Sequence, residues 1–181
     1  MNYNPNIHHR RSIRLKGYDY SQAGLYFITI CCNERECHFG KIENDKMVLN
    51  DAGTIAHNEW LKTSELRPNF ELDEFVIMPN HMHGIIRLSG RGELHSPDNN
   101  HSPDHKGECN SPLRSPSQTI GAMVRGYKSS VTKQLGLLGF DGKLWQRNYY
   151  EHIIRNEQSY QTISEYIINN TSKWKDDKFY K

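Results

Sequence analysis

Apolar and polar residues alternate most clearly between Glu74 and Leu88. Phe75-Val76-Ile77-Met78 is followed by Pro79-Asn80 and then by His81-Met82-His83-Gly84-Ile85-Ile86-Arg87-Leu88. Strand-length apolar runs broken by a proline predict two short strands joined at Pro79-Asn80. Side chains alternate faces along a strand, so His81 and His83 point to one side, about 7 Å apart along the chain, while Met82 points to the other. Gly84, with no side chain, is read as leaving one side of the histidine pair uncovered. Gly24-Leu25-Tyr26-Phe27-Ile28-Thr29-Ile30-Cys31-Cys32 is rich in aromatic and β-branched residues and predicts the first core strand. Residues 38–42 and 46–49, divided by Asn44-Asp45, predict a peripheral hairpin.

A three-to-four rhythm marks the helices. Ala52, Ile55, Ala56 and Trp60, preceded by Asn50 or Asp51 as cap, predict a helix ending near Arg67-Pro68. Ile120, Met123, Val124, Tyr127, Val131 and Leu135 share one face of a second helix, opened by Ser117 and stopped at Gly136. Trp145 to Ile154 reads as extended, and Asn156-Glu157 starts a last helix whose apolar row is Tyr160, Ile163 and Ile167. A second row, Ser159, Thr162, Tyr166 and Asn170, is polar apart from the tyrosine ring, so Tyr166 is presented rather than buried. The element order predicts an α+β, ferredoxin-like split βαβ (βαββαβ) antiparallel sheet with helices on one face. A peripheral hairpin and a C-terminal tyrosine-bearing helix are added to it.

A length of 181 residues fits one domain spanning 1–181. Two stretches depart from its patterning. Residues 90–117 hold four of the seven prolines, repeat His-Ser-Pro-Asp at 95–98 and 101–104, and read as a flexible insertion. Residues 1–16 form a basic N-terminal arm with Arg10, Arg11 and Arg14 and no acid; it is either a solvated tail or a phosphate-contacting extension. The net charge of +2 is too small to establish a polyanionic partner, so distribution matters more. Arg125 and Lys128 lie off the apolar helix face and, with Lys143 and Arg147, read as a DNA-facing set, the alternative being a solvated face. No apolar stretch is long enough to span a membrane and the basic start lacks an apolar core, which predicts a cytoplasmic protein without membrane contact. Adjacent Cys31 and Cys32, with Cys109 in the insertion and no Cys-x-x-Cys spacing, predict free thiols rather than a zinc site.

His-x-His in a strand is a satisfied structural pair more often than a metal pincer, and no acid in the next few residues offers a partner. Context favours the pincer. Pro79-Asn80-His81-Met82-His83-Gly84-Ile85-Ile86 resembles the His-hydrophobic-His signature of the single-tyrosine HUH transposases, in particular their REP-associated branch. Trp145-Gln146-Arg147-Asn148-Tyr149-Tyr150-Glu151-His152-Ile153-Ile154-Arg155-Asn156 and Tyr166-Ile167-Ile168-Asn169-Asn170 resemble that family's second half in order and spacing.

The resemblance implies a metal-dependent transposase that nicks and rejoins single-stranded DNA near hairpins through a 5′-phosphotyrosine and a free 3′-hydroxyl. By position it implies Tyr166 as nucleophile, His81 and His83 as the metal pair, and Asn170, where relatives carry glutamine, as third ligand. Gln146, Glu151 and His152 would support the site. The metal would be Mg2+ or Mn2+, with imidazole ligands favouring Mn2+. The alternative is a non-catalytic hairpin-DNA-binding protein of the same fold. A homodimer in which the tyrosine helix serves a partner's site is also compatible with the resemblance.

Overall fold

The sheet begins with β1 (Gly24–Cys31), whose alternation sets two faces: Tyr26, Ile28 and Ile30 on one, Leu25, Phe27 and Thr29 on the other. A computed structural model describes residues 22–89 and 118–180. After β1 come a short 3-10 turn (Asn33–Arg35), β2 (Gly40–Glu43), β3 (Lys46–Leu49), α1 (Asp51–Leu66), β4 (Phe70–Met78) and β5 (His81–Leu88). Then follow α2 (Ile120–Leu137), β6 (Tyr150–Ile154), α3 (Glu157–Ile168) and a final 3-10 turn (Trp174–Asp176). Arg10, Arg11, Arg14, the arm at 1–16, the insertion at 90–117 and Cys109 lie outside the described residues.

Four strands pair antiparallel in the order β4-β5-β1-β6, with the β2-β3 hairpin as a separate small sheet. This is the split βαβ arrangement with the first and third core strands central. Asn44 and Asp45 close the hairpin at φ 48° and 60°, the left-handed pair that a two-residue turn requires. Register between β1 and β5 sets Cys31 opposite His81, Thr29 opposite His83 and Phe27 opposite Ile85.

α1 and α2 cover the face of Tyr26, Ile28, Ile30, Met82 and Ile86, where Trp60, Met123, Tyr127 and Val131 complete the main core. The Asn50 side chain caps α1 by accepting from the Gly53 N–H at 2.9 Å. Gly84 faces this layer rather than opening the histidine side. A Cβ there would sit 2.8 Å from Trp60 Cζ2, so the glycine makes room for the indole. The ends of α2 also differ from expectation. Thr119, not Ser117, is the cap, accepting from the Ala122 N–H, and Gly136 stays within the helix. The turn falls at Gly139, with φ at 88°, where the Phe140 N–H reaches back to the Leu135 carbonyl. Residues 145–149 precede the last strand instead of belonging to it.

α3 docks on the opposite face. Ile167 packs with Phe27, Ile85 and Ile154, and Tyr160 and Ile163 flank that cluster. Its cap is Asn156, whose side chain accepts from the Ser159 N–H at 2.8 Å. Both faces of the central strands are therefore covered, which is why their sequences read as nearly continuous apolar runs.

Candidate active site

His81 and His83 project toward the α3 face and are almost fully buried, with ring centroids 4.6 Å apart. Each is held through its Nδ1. Asn80 donates from Nδ2 to the carbonyls of Arg35 (3.0 Å) and Phe179 (2.8 Å). Two carbonyls on one amide nitrogen fix which end of the amide is which. Its Oδ1 therefore accepts from His81 Nδ1 at 2.8 Å, and the lone pair of His81 lies on Nε2. His83 Nδ1 lies 2.8 Å from Thr29 Oγ1. The two Nε2 atoms then face each other at 3.0 Å.

Burial pushes the His81 pKa down to about 4, and burial with the neighbouring His81 pushes that of His83 well below the usual range. Both rings are neutral near pH 7, the form in which imidazole binds metals.

Tyr166, 38% exposed, brings its hydroxyl to 3.1 Å from His83 Nε2 and 3.2 Å from Asp177 Oδ2. Desolvation, then the Asp177 charge, raises its pKa to about 12. Phe27 stacks on His83 at 5.3 Å and meets Tyr166 edge-on at 6.3 Å, fixing both rings. Asp177 joins the histidines in a cluster whose three ligand atoms lie within 4.8 Å of one another. Asn170, just beyond α3 and 2% exposed, donates from Nδ2 to Asp177 Oδ2 at 3.3 Å. Its Oδ1 is buried without a hydrogen-bond partner among the described residues. Beside these residues a groove of about 420 Å3 opens, walled by Phe27, Thr29, Arg35, Gln146, Tyr150 and Lys178.

No family model matches the chain. A protein of Haemophilus influenzae (strain ATCC 51907 / DSM 11121 / KW20 / Rd), described as uncharacterized, is 46% identical over 187 residues, which is 98% of this chain and 97% of that one. A REP-associated tyrosine transposase, solved bound to a REP hairpin, superimposes with a TM-score of 0.58 at 22% identity over 88% of this chain and 73% of its own. The chain belongs to the family of the Haemophilus protein and has the REP-associated tyrosine transposase fold.

Within that fold, the described residues fit a divalent cation on their own chemistry. Two neutral imidazoles bring their Nε2 atoms within 3.0 Å of each other, a carboxylate stands beside them, and a buried amide oxygen lacks a partner among those residues. Sequence reasoning missed Asp177, which lies beyond the last helix in a stretch, Lys173 to Tyr180, without helical or strand periodicity. It also missed Asn80, Thr29 and Phe27 as supports. Asn80 adjoins His81, and Thr29 and Phe27 share one face of the first strand, so those positions carried a usable signal.

The remaining candidates separate. Gln146 lines the groove with Tyr166 and His83. Glu151 pairs with Ile28 in the sheet, so it faces the α1/α2 layer, buried, and accepts from the Tyr149 hydroxyl at 2.8 Å. That removes it from the site. His152 lies on the site's face but exposed, in a neighbouring hollow with Phe27, Tyr150 and Thr162. Arg125 and Arg147 are exposed. Lys128 leaves the basic set, because its ammonium donates to the carbonyls of Gln146 (2.8 Å) and Asn148 (3.0 Å) and ties down the segment before β6. Burial lowers its pKa to about 8. Tyr127, buried and donating to the Ala56 carbonyl at 3.1 Å, is a core residue. Among the described residues no helix is long and apolar enough to cross a membrane.

Proposed function

We propose that this chain is a metal-dependent single-stranded DNA transposase or nickase that cleaves and rejoins DNA near hairpins through a 5′-phosphotyrosine. The observation that carries the reading is the Tyr166 hydroxyl, 3.1 Å from His83 Nε2 at the mouth of an open groove. One chain brings nucleophile and histidine pair together, which favours Tyr166 acting in cis. The hairpin ligand of the REP-associated transposase with this fold supports hairpin DNA as substrate.

In the proposed reaction Tyr166 Oη attacks the scissile phosphorus, and the bond to the 3′ oxygen of the preceding nucleotide breaks. The 5′ phosphate stays on the tyrosine, and the 3′ oxygen leaves as a hydroxyl, taking its proton from water in the open groove. Asp177 Oδ2, 3.2 Å from Oη, is placed to accept the phenolic proton. Rejoining is the reverse attack by a 3′-hydroxyl. A phenol raised to about 12 is a weak nucleophile, so positive charge near Asp177 is needed to ease its ionisation. His81 and His83 would hold Mg2+ or Mn2+ with oxygen from Asp177 or Asn170, supplying charge at the non-bridging phosphate oxygens. Meanwhile Phe27 and Thr29 keep the His83 ring in place, and Asn80 keeps His81 in the tautomer whose Nε2 is free.

Replacing Tyr166 by phenylalanine removes the nucleophilic oxygen alone. Cleavage of a hairpin oligonucleotide and the covalent adduct should both vanish while DNA binding persists. Mass spectrometry of the peptide crosslinked to the cleaved 5′ end decides it. An adduct on Tyr149 or Tyr150 would refute the assignment, and cleavage without any adduct would indicate a water-using nuclease.

A further inference from the structure

Two cations on the groove wall take no part in the chemistry above. Arg35 and Lys178 line the same groove as Tyr166 and His83. Both lie over one ring, that of Phe179, at 5.2 Å and 4.9 Å from its centroid. That ring in turn sits 4.5 Å from the ring of His81 and 5.9 Å from that of His83. Neither cation forms an ion pair with a carboxylate among the described residues. Two cations over one ring, neither paired with a carboxylate, leave positive charge on the groove wall that an arriving anion offsets.

The backbone adds a second observation. Glu34 and Arg35 are both left-handed, at φ 54° and 57°, a conformation that side chains other than glycine adopt at a cost. Asn80 holds this turn by donating to the Arg35 carbonyl. Arg35 Nη1 donates to the Lys178 carbonyl at 2.8 Å, which aims the guanidinium and leaves its other donors available. A surface arginine kept only for solubility needs neither a left-handed turn nor an anchored head.

We propose that Arg35 and Lys178 form a second phosphate subsite, binding the phosphodiester next to the scissile one and thereby setting which linkage faces Tyr166. A guanidinium fork engages two non-bridging oxygens, and the ammonium adds a point charge. The subsite rests on the reading that a single DNA strand lies in this groove.

The test measures binding of the full chain to a fluorescent hairpin oligonucleotide with a single-stranded flank, across a salt series. Each lost contact to a single strand should lower the slope of log K against log[salt] by about 0.7. The Arg35→Gln/Lys178→Gln double variant should therefore lose about 1.4, and Arg35→Lys should keep the wild-type slope. Neutral methylphosphonates walked one linkage at a time along the flank should weaken wild-type binding at one position and leave the double variant unaffected there. Lys178→Gln is the arm that survives if loss of the Arg35 anchor disturbs folding, because among the described residues the Lys178 side chain makes only the ring contact.

An unchanged slope in Lys178→Gln and in the double variant overturns the subsite, as does equal methylphosphonate sensitivity in wild type and variant. The covalent adduct is scored separately. An adduct with unchanged slopes removes the subsite and leaves the nuclease; changed slopes without an adduct do the opposite.

Discussion

The two faces of β1 and β5 both bury side chains but are differently specified. On one, Tyr26, Ile28, Ile30, Met82 and Ile86 meet Trp60 and the apolar stripe of α2. Shape and volume suffice there, and such a surface tolerates volume-conserving exchange. On the other, one residue along each strand, Thr29, His81 and His83 are buried with their polar atoms aimed at Asn80, Tyr166 and one another. The desolvation that stabilises the first face burdens the second: it drives His81 to about 4 and Tyr166 to about 12. Reactivity and stability are thus separated by a single peptide step.

The largest effect that would break this comparison is on the polar face. His81→Ala and His83→Ala should abolish cleavage, as should excess chelator with the wild type. Added Mn2+ at a hundred times its dissociation constant should stabilise the wild type by about 2.7 kcal/mol in thermal melts and leave His81→Ala unmoved. An equal rise in both would place the ion elsewhere.

A smaller effect falls on the apolar face. Gly84→Ala drives a methyl into Trp60 and should cost about 1–3 kcal/mol in denaturant unfolding, with cleavage retained below the melting transition. Loss of cleavage with unchanged stability would mean that Gly84 serves the histidine side after all. The smallest contrast is between two tyrosines. Tyr127→Phe leaves the Ala56 carbonyl without that donor and should cost about 1 kcal/mol with no change in cleavage. Tyr166→Phe should reverse the pattern, within about 0.5 kcal/mol in stability.

Much of this was legible because strands have a period of two. The alternation around His81 and His83 placed both rings on one face, and the polar row on the last helix singled out Tyr166, which the structure brings to His83. What stayed hidden depends on contacts between distant residues. Asp177 lies in a charged tail with no periodicity, and only the fold carries it to Tyr166. For Glu151 the resemblance suggested a supporting role without a sheet face, and a one-residue phase decides which face a side chain joins; the pairing with Ile28 turns it to the α1/α2 layer. Lys128 looked exposed from helix phase alone, since nothing local reveals that the carbonyls of Gln146 and Asn148 come down onto it. Gly84 read as an opening because its filler, Trp60, comes from another element.

Asn80 carries one more consequence. Its amide bridges carbonyls 45 and 99 residues away while fixing the proton on His81. The His81 tautomer is fixed only in a molecule where Arg35 and Phe179 have both docked. A nascent or partly unfolded chain leaves that amide free to rotate and the imidazole free to tautomerise. Under the proposed function, competence for cleavage would then arrive only once Arg35 and Phe179 have both docked, so that folding itself gates the chemistry.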